Sequence, residues 1–456
     1  MNPGKFDLTS VWRCGFACAA FALISHSACA GDLLTAYRHA LENDANFLAA
    51  RATTEASREA LPQARAGLLP NLSFSGSRSK VHTDITQNTI LGPRGSTYDY
   101  FAEGQNLTLR QPLFRLGNIA QYRQAEAQVA GAELTLDKER QILAAKVAGA
   151  YFDVLAAQDQ LRLVREQKKF MYQQWQQAQA LLDKGAGTRT DRDEARARYD
   201  VVLAQEIEAA NVLDLAERTL TSITNRPALV AELAALDERR LVLEAPAPVS
   251  FDAWMKLAES SNPELASLRF AIEVAQQEVL KQRSGHFPTL DLFAQRSYSA
   301  SETVSIIGSQ YHTNQIGAQL AIPIFSGGGV ISAERQALAG VERARQQYEA
   351  ARRQMGLNLR REYNNVVQGI SKVRALEQSL QSAGLALIST EMGVKAGTRN
   401  NLDVLNARAQ LFTVQRDLGK ARYDYVVGRI RLKANAGTLG EEDIELVNRW
   451  LTVAKK

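Results

Sequence analysis

Hydrophobic positions along this chain follow two different periods. Long stretches rich in Ala, Leu, Gln, Glu, Arg and Lys, all strong helix formers, run without proline from Leu113 to Arg226 and from Ile324 to the C-terminus. The segment from Arg115 to Lys184, ahead of Gly185-Ala186-Gly187, predicts one helix about 105 Å long, a rod that no compact domain can hold. Positions 359, 363, 366, 370, 373, 377, 380, 384 and 387 follow 4-3 spacing. Leu359, Tyr363, Val366, Ile370, Val373, Leu380 and Leu387 keep that stripe apolar or aromatic, while Glu377 and Gly384 interrupt it. Such spacing predicts coiled-coil-like packing against neighbouring helices. Elsewhere the period is two. Leu72-Ser73-Phe74-Ser75, Asn106-Leu107-Thr108-Leu109-Arg110, Leu290-Asp291-Leu292 and Asn314 to Ile322 alternate, which gives each strand one apolar and one polar face.

The pattern occurs twice. Leu68-Leu69-Pro70-Asn71-Leu72 returns as His286-Phe287-Pro288-Thr289-Leu290, and Leu109 to Phe114 returns as Leu320 to Phe325. Tyr151 answers Tyr363, and Gly185 with Asp191 answers Gly397 with Asp403. A constant offset of roughly 210 residues marks a duplication. Each copy reads helix, strand pair, very long helix, short loop, helix. The predicted organisation is a first repeat over 31–226, a connector over 227–251 carrying Pro227, Pro246 and Pro248, a second repeat over 252–438 and a tail over 439–456.

The strands admit two readings, a small sheet half-buried on a helical domain or part of a membrane barrel with lipid outside and water inside. Four strands cannot close a barrel, because about eight is the smallest working size. An open sheet in lipid would leave edge groups unsatisfied. Either the sheet is soluble or several chains share one barrel, and three chains would supply twelve strands. Tyr98, Tyr100, Phe101, Tyr298 and Tyr311 near the strand ends suit an aromatic girdle.

Lys5 and Arg13, the apolar run from Cys14 to Ile24 and Ala28-Cys29-Ala30 have the layout of a secretory signal peptide over 1–30, cleaved after Ala30. Its removal takes away all three cysteines and changes the net charge from +5 to +4. No clustered basic tract points to nucleic acid. No run of 18 apolar residues follows Ala30. His39, His82, His286 and His312 lack metal-ligand spacing, and neither a nucleophile elbow nor a phosphate-binding loop is present. Ser326-Gly327-Gly328-Gly329 lacks the lysine of such a loop and reads as a flexible strand-to-helix joint. No catalytic site, cofactor or metal is expected, and the chain is not expected to be an enzyme.

Over residues 31 to 448 the chain resembles the TolC-type outer-membrane channel proteins of Gram-negative bacteria. The residues carrying this are Leu68-Leu69-Pro70, Ala150-Tyr151-Phe152-Asp153-Val154-Leu155, Gly285 to Leu292, Pro323-Ile324-Phe325, Gly397-Thr398-Arg399 with Asp403-Val404-Leu405, and Gly437-Thr438-Leu439. The resemblance implies a mainly α chain with a β-barrel portion. It further implies a homotrimer with a twelve-stranded barrel in outer-membrane lipid and a helical tunnel through the periplasm. A periplasmic adaptor and an inner-membrane transporter would be its partners, and type I protein secretion its role. Multidrug efflux is the alternative within the class, and a soluble periplasmic coiled-coil scaffold is the alternative outside it.

The resemblance also implies site residues. Asp403 and Asn406 fall on the motif that rings the periplasmic aperture, where relatives carry Asp at both positions, so three chains would give three carboxylates. Such a ring prefers cations. Asp403 also suits a helix N-cap after the Gly397 turn. Gln174, Thr190 and Asp191 in the first repeat, with Glu391 and Arg399 in the second, fall on the polar links of the closed state. A family tyrosine in that network is replaced by Val394, and Arg399 is expected to reach Asp191 or the Thr190 region.

Overall fold

Two helices of 68 and 67 residues set the length of the molecule. The structure, a computed structural model, describes residues 31–230, 232–303 and 306–452, so the predicted signal peptide lies outside the described residues. The first half contains α1 (Leu33–Asn43), α2 (Ala45–Arg58), α3 (Ala60–Ala66), the hairpin β1 (Asn71–Thr89) and β2 (Gly92–Phe114), then α4 (Leu116–Asp183) and α5 (Arg189–Thr224). Short α6 (Pro227–Val230) and β3 (Ala235–Leu236) follow. The second half repeats the order with α7 (Phe251–Ser261), α8 (Pro263–Arg283), β4 (Thr289–Thr303), β5 (Ile306–Ala321), α9 (Gly329–Lys395) and α10 (Asn401–Ala436). The chain ends in α11 (Glu441–Asn448) and β6 (Leu451–Thr452), which pairs antiparallel with β3.

Toward the sheet, α4 packs on α2, α3 and α8, and α9 packs on α8; toward the far end the partners are α5 and α10. At mid-height the elements share one core. Leu359 and Val366 of the 4-3 stripe are fully buried there with Tyr151, Phe152 and Tyr425, while Val373 is buried in a separate cluster with Leu418 and Ala421. The two duplicated tyrosines do the same work. The Tyr151 hydroxyl sits 2.9 Å from the carbonyl of Gly31 and 2.8 Å from that of Ala234, and the Tyr363 hydroxyl donates to the carbonyl of Val249. Each therefore fastens its long helix to a strap of irregular chain. Burial pushes the Tyr151 phenol above its ordinary range, so it stays protonated and able to donate.

Asp44 caps α2 by accepting from the Phe47 N–H at 2.9 Å and receives the Lys146 ammonium at 2.8 Å. Burial alone would raise this carboxyl, but the Lys146 bond and the N–H groups of Phe47 and Asn46 outweigh it and hold the group below its ordinary value. The stabilisation is fully present above the unfolded carboxylate value, about 3.9, and is lost as pH falls through the lower folded one. Asp44→Asn keeps the cap and loses the charge. It is expected to cost about 2 kcal/mol at pH 7, with the difference from wild type shrinking below about pH 4 in thermal unfolding across pH. A gap that does not depend on pH would sink this account.

The sheet has the order β1-β2-β4-β5, antiparallel throughout, with β1 and β5 as outer strands. Register fixes its faces. Leu72, Phe74, Leu107, Leu109, Leu292, Ala294, Ile316, Ala318 and Leu320 share one side; Ser73, Ser75, Asn106, Thr108, Gln295, Gln315 and Gln319 share the other. The predicted aromatic girdle divides. Phe101 and Tyr298 lie on the leucine-bearing side, whereas Tyr98, Tyr100 and Tyr311 lie on the opposite one, because their registers differ by one residue. At the foot of the sheet, Asp291 on β4 is 3% exposed and gathers Arg110 of β2 and Arg115 at the start of α4. The glycine-rich joint before α9 is real: Gly327 and Gly328 adopt φ of 60° and 80°, open to Gly at little cost.

Candidate aperture at the helical tip

The end of the molecule remote from the sheet is made of two hairpins, α4–α5 and α9–α10, turned the same way. Each long helix stops at a left-handed glycine, Gly185 at φ 75° and Gly397 at φ 74°. The next N–H then folds back onto the last turn: Ala186 N–H donates to Leu181 O and Thr398 N–H to Gly393 O, both at 2.9 Å. A cap restarts the chain. Thr188 accepts from the Asp191 N–H at 3.1 Å, and Asn400 accepts from the Asp403 N–H at 2.9 Å.

Asp403 is therefore not the N-cap. It is the third residue of α10, and its carboxylate accepts in return from the Asn400 N–H at 3.3 Å, completing a capping box. The same carboxylate has the Arg399 guanidinium 3.8 Å away, with Arg399 exposed and Asp403 half-buried. Asp191 takes a 2.7 Å hydrogen bond from the Thr188 hydroxyl. Arg399 thus turns to the carboxylate of its own hairpin and not to Asp191 or Thr190. Its side chain lies over Gly393, where an added Cβ would stand 2.7 Å from the Arg399 Cγ. Thr190 and Glu391 are exposed, and the half-buried Gln174 has a side-chain oxygen shielded from solvent without a hydrogen-bond partner.

The two hairpins are brought together by a residue that sequence reasoning missed. Arg198 of α5 donates at 2.9 Å to Asn406 Oδ1 on α10 and at 3.0 Å to Glu194 Oε1 on its own helix. The Glu194–Arg198 spacing of four was visible in the sequence, but the contact with a residue 208 positions away was not. Beneath this link Met171, Val202 and Leu405 form a small core joining α4, α5 and α10. Tyr172, Trp175 and Tyr199 pack beside it with centroids 5.6–5.9 Å apart, Trp175 stacked on Tyr199 and edge-on to Tyr172, and the Arg408 guanidinium lies 4.8 Å from the Phe170 ring. Two acidic groups of the tip have a cation of their own hairpin beside them: Asp403 has Arg399 and Glu194 has Arg198.

Among the described residues no group of three His, Cys, Asp or Glu side chains is placed to hold a metal ion, and no helix is long and apolar enough to cross a membrane.

The sequence matches the family described as outer membrane efflux protein over residues 36–226 and 254–438. The chain is 39% identical to the alkaline protease secretion protein AprF of Pseudomonas aeruginosa, covering 93% of this chain and 88% of that one. It is 32% identical to the proteases secretion protein PrtF of Dickeya chrysanthemi (95% and 94% covered). It is also 32% identical to the outer membrane protein TolC of Escherichia coli (96% and 88% covered). Among solved structures, the outer membrane protein VceC of Vibrio cholerae superposes with a TM-score of 0.75 at 19% identity, over 89% of this chain and 96% of that one.

Proposed function

Since this chain belongs to the outer membrane efflux protein family, a family of channels, we propose that three copies form an exit duct across the outer membrane and periplasm. The four-stranded sheets close as one twelve-stranded barrel, and the long helices stand side by side as a periplasmic tunnel. The observation that carries this reading is the sheet itself. Its outer strands β1 and β5 run antiparallel to each other, so β1 of one copy can pair with β5 of the next without a change of direction. One face is leucine-rich and the other serine- and glutamine-rich, as lipid outside and water inside require. A soluble scaffold would cover the leucine-bearing face with protein, yet Leu72, Phe74, Ile316 and Leu320 are 60–85% exposed.

The duct works with a periplasmic adaptor and an inner-membrane transporter. Relatives named for protease secretion favour a polypeptide cargo and type I secretion over efflux of small compounds. Gln174, Thr190, Asp191, Glu391 and Arg399 act between copies, where three tips converge, and Asp403 with Asn406 lines the opening. Because Arg399 already faces Asp403, the aperture has a weak cation preference.

Single-channel recording in a planar bilayer tests this. Wild type is expected to give stable steps that favour cations mildly. Asp403→Ala uncovers the Arg399 charge and is expected to move the reversal potential in a salt gradient to the anion side. An unmoved reversal potential would place the constriction elsewhere. A folded chain that stays in solution without detergent and never conducts would end the duct reading.

A further inference from the structure

The two faces of the β1–β2 hairpin exchange character part-way up. Ser73, Ser75, Ser77 and Ser79 stand opposite Thr108, Asn106, Gly104 and Ala102, while Leu72 and Phe74 on the reverse side stand opposite Leu109 and Leu107. Above Ser79 the polarity inverts. Val81, Thr83 and Ile85 continue the serine side and stand opposite Tyr100, Tyr98 and Ser96. Lys80, His82 and Asp84 continue the leucine side, opposite Phe101, Asp99 and Thr97. There His82 Nδ1 lies 2.8 Å from Asp99, and the Thr97 hydroxyl donates to Asp84 at 2.5 Å.

The same stretch leaves the sheet. Pairing of β2 with β4 ends at Ala102 with Ser301, and β4 with β5 turns back at Thr303 and Ile306. Residues 80–101 therefore form a two-stranded ribbon that rises about 33 Å beyond its last pairing with β4, at 3.3 Å per residue. Its tip presents Ile90 and Leu91, 106% and 87% exposed. An isolated two-stranded ribbon is marginal in water, and one with an apolar face and an apolar tip has every reason to bury them.

We propose that the three ribbons of a trimer fold over the mouth of the barrel and bury these faces against one another, forming an external cap. This rests on the trimeric duct reading. The apolar face continues the side that lines the lumen, so it points toward the pore axis and not toward lipid. The charged face of Lys80, His82, Asp84 and Asp99 stays in water. The ribbon prolongs β1, the strand on which the neighbouring copy closes the barrel, so the nearest apolar surface of matching shape is the next copy's ribbon. Reach is sufficient: twelve strands about 4.8 Å apart and tilted about 40° make a barrel of roughly 12 Å radius, well inside the ribbon's length. At the root, Ser77, Ser79, Ala102 and Gly104 put only small side chains on the serine side, toward which the ribbon can bend, while Arg78 and Glu103 pair on the reverse.

All three cysteines lie within residues 1–30, so Tyr98→Cys and Asp99→Cys each place one thiol on the processed chain, on opposite faces of the ribbon. Outer membranes carrying either variant are treated with a short bis-maleimide. Covalent dimers are expected from Tyr98→Cys and not from Asp99→Cys; equal yields, or dimers from Asp99→Cys alone, would overturn the cap. In a second measurement, residues 80–101 are replaced by a two-glycine turn joining Ser79 to Ala102. Conductance is expected to rise several-fold. Unchanged conductance would discard the cap and leave the duct standing, whereas folded trimers that conduct in neither form would overturn the duct reading and the cap with it.

Discussion

Asp291→Ala is expected to destabilise the chain by about 3 kcal/mol, the largest effect of any single polar substitution in the sheet. The carboxylate is 3% exposed and collects four guanidinium contacts. Arg115 donates from Nε to Oδ1 at 2.8 Å and from Nη2 to Oδ2 at 2.6 Å, and Arg110 donates to Oδ2 at 3.2 and 2.6 Å. Alanine leaves two cations facing each other with no anion between them. Breaking a buried ion pair costs about 3–5 kcal/mol, and the lower end applies because Arg110 and Arg115 side chains keep 49% and 30% of their exposure. The pair also joins the halves of the duplicated chain, β2 and the start of α4 to β4, at the point where strands become helices. The damage should therefore appear in assembly, as earlier thermal dissociation of the trimer in detergent. Removing Arg110 as well should restore part of the loss, since one guanidinium no longer repels the other. A trimer of unchanged thermal stability in Asp291→Ala would show that the cluster is ornamental.

What the sequence made legible followed from periodicity that burial enforces. The stripe at Leu359, Val366 and Val373 is fully buried because residues seven apart return to one helix face against a straight neighbour. The long helix expected over Arg115 to Lys184 runs from Leu116 to Asp183, bounded by the strand before it and the left-handed glycine after it. The strands were only partly legible. Alternation at Leu72-Ser73-Phe74-Ser75 ended at Ser75, yet β1 continues to Thr89. Beyond Ser75 the leucine-bearing side turns polar at Gly76 and Arg78, above Ser79 the polarity inverts, and backbone pairing alone keeps the strand extended. The tip was legible in its turns and not in its contacts. Gly397 and the short polar run after it announce a restart, but Asn400 and Asp403 can both cap, and only the chain's exit from the left-handed glycine decides that Asn400 does. Arg198 reads as half of an ordinary Glu194–Arg198 helix pair, and nothing local shows that Asn406 lies beside it.

Arg198→Ala is expected to raise single-channel conductance several-fold by loosening the periplasmic end. The bond from Arg198 Nη1 to Asn406 Oδ1 is a side-chain hydrogen bond that crosses between the two hairpins at the tip, and it is partly exposed, so each is worth about 0.5–1 kcal/mol. In the proposed duct, opening requires the tips of all three copies to part. Three such bonds amount to about 2 kcal/mol, a roughly thirtyfold shift between closed and open populations. Arg399→Ser is expected to do less within one chain, because its partner Asp403 is 3.8 Å away and already held by the Asn400 N–H. Asn406→Asp works in the opposite direction. It turns the Arg198 contact into a charge-assisted bond, and it adds one carboxylate per chain to the proposed aperture ring. Closure should tighten, conductance should fall and cation preference should rise, all in the same recording. Arg198→Ala and Asn406→Asp that both conduct as wild type would remove the link from the gate. A change in Asn406→Asp alone would leave Asn406 a charge position and Arg198 a bystander, because a latch must respond when either partner is changed.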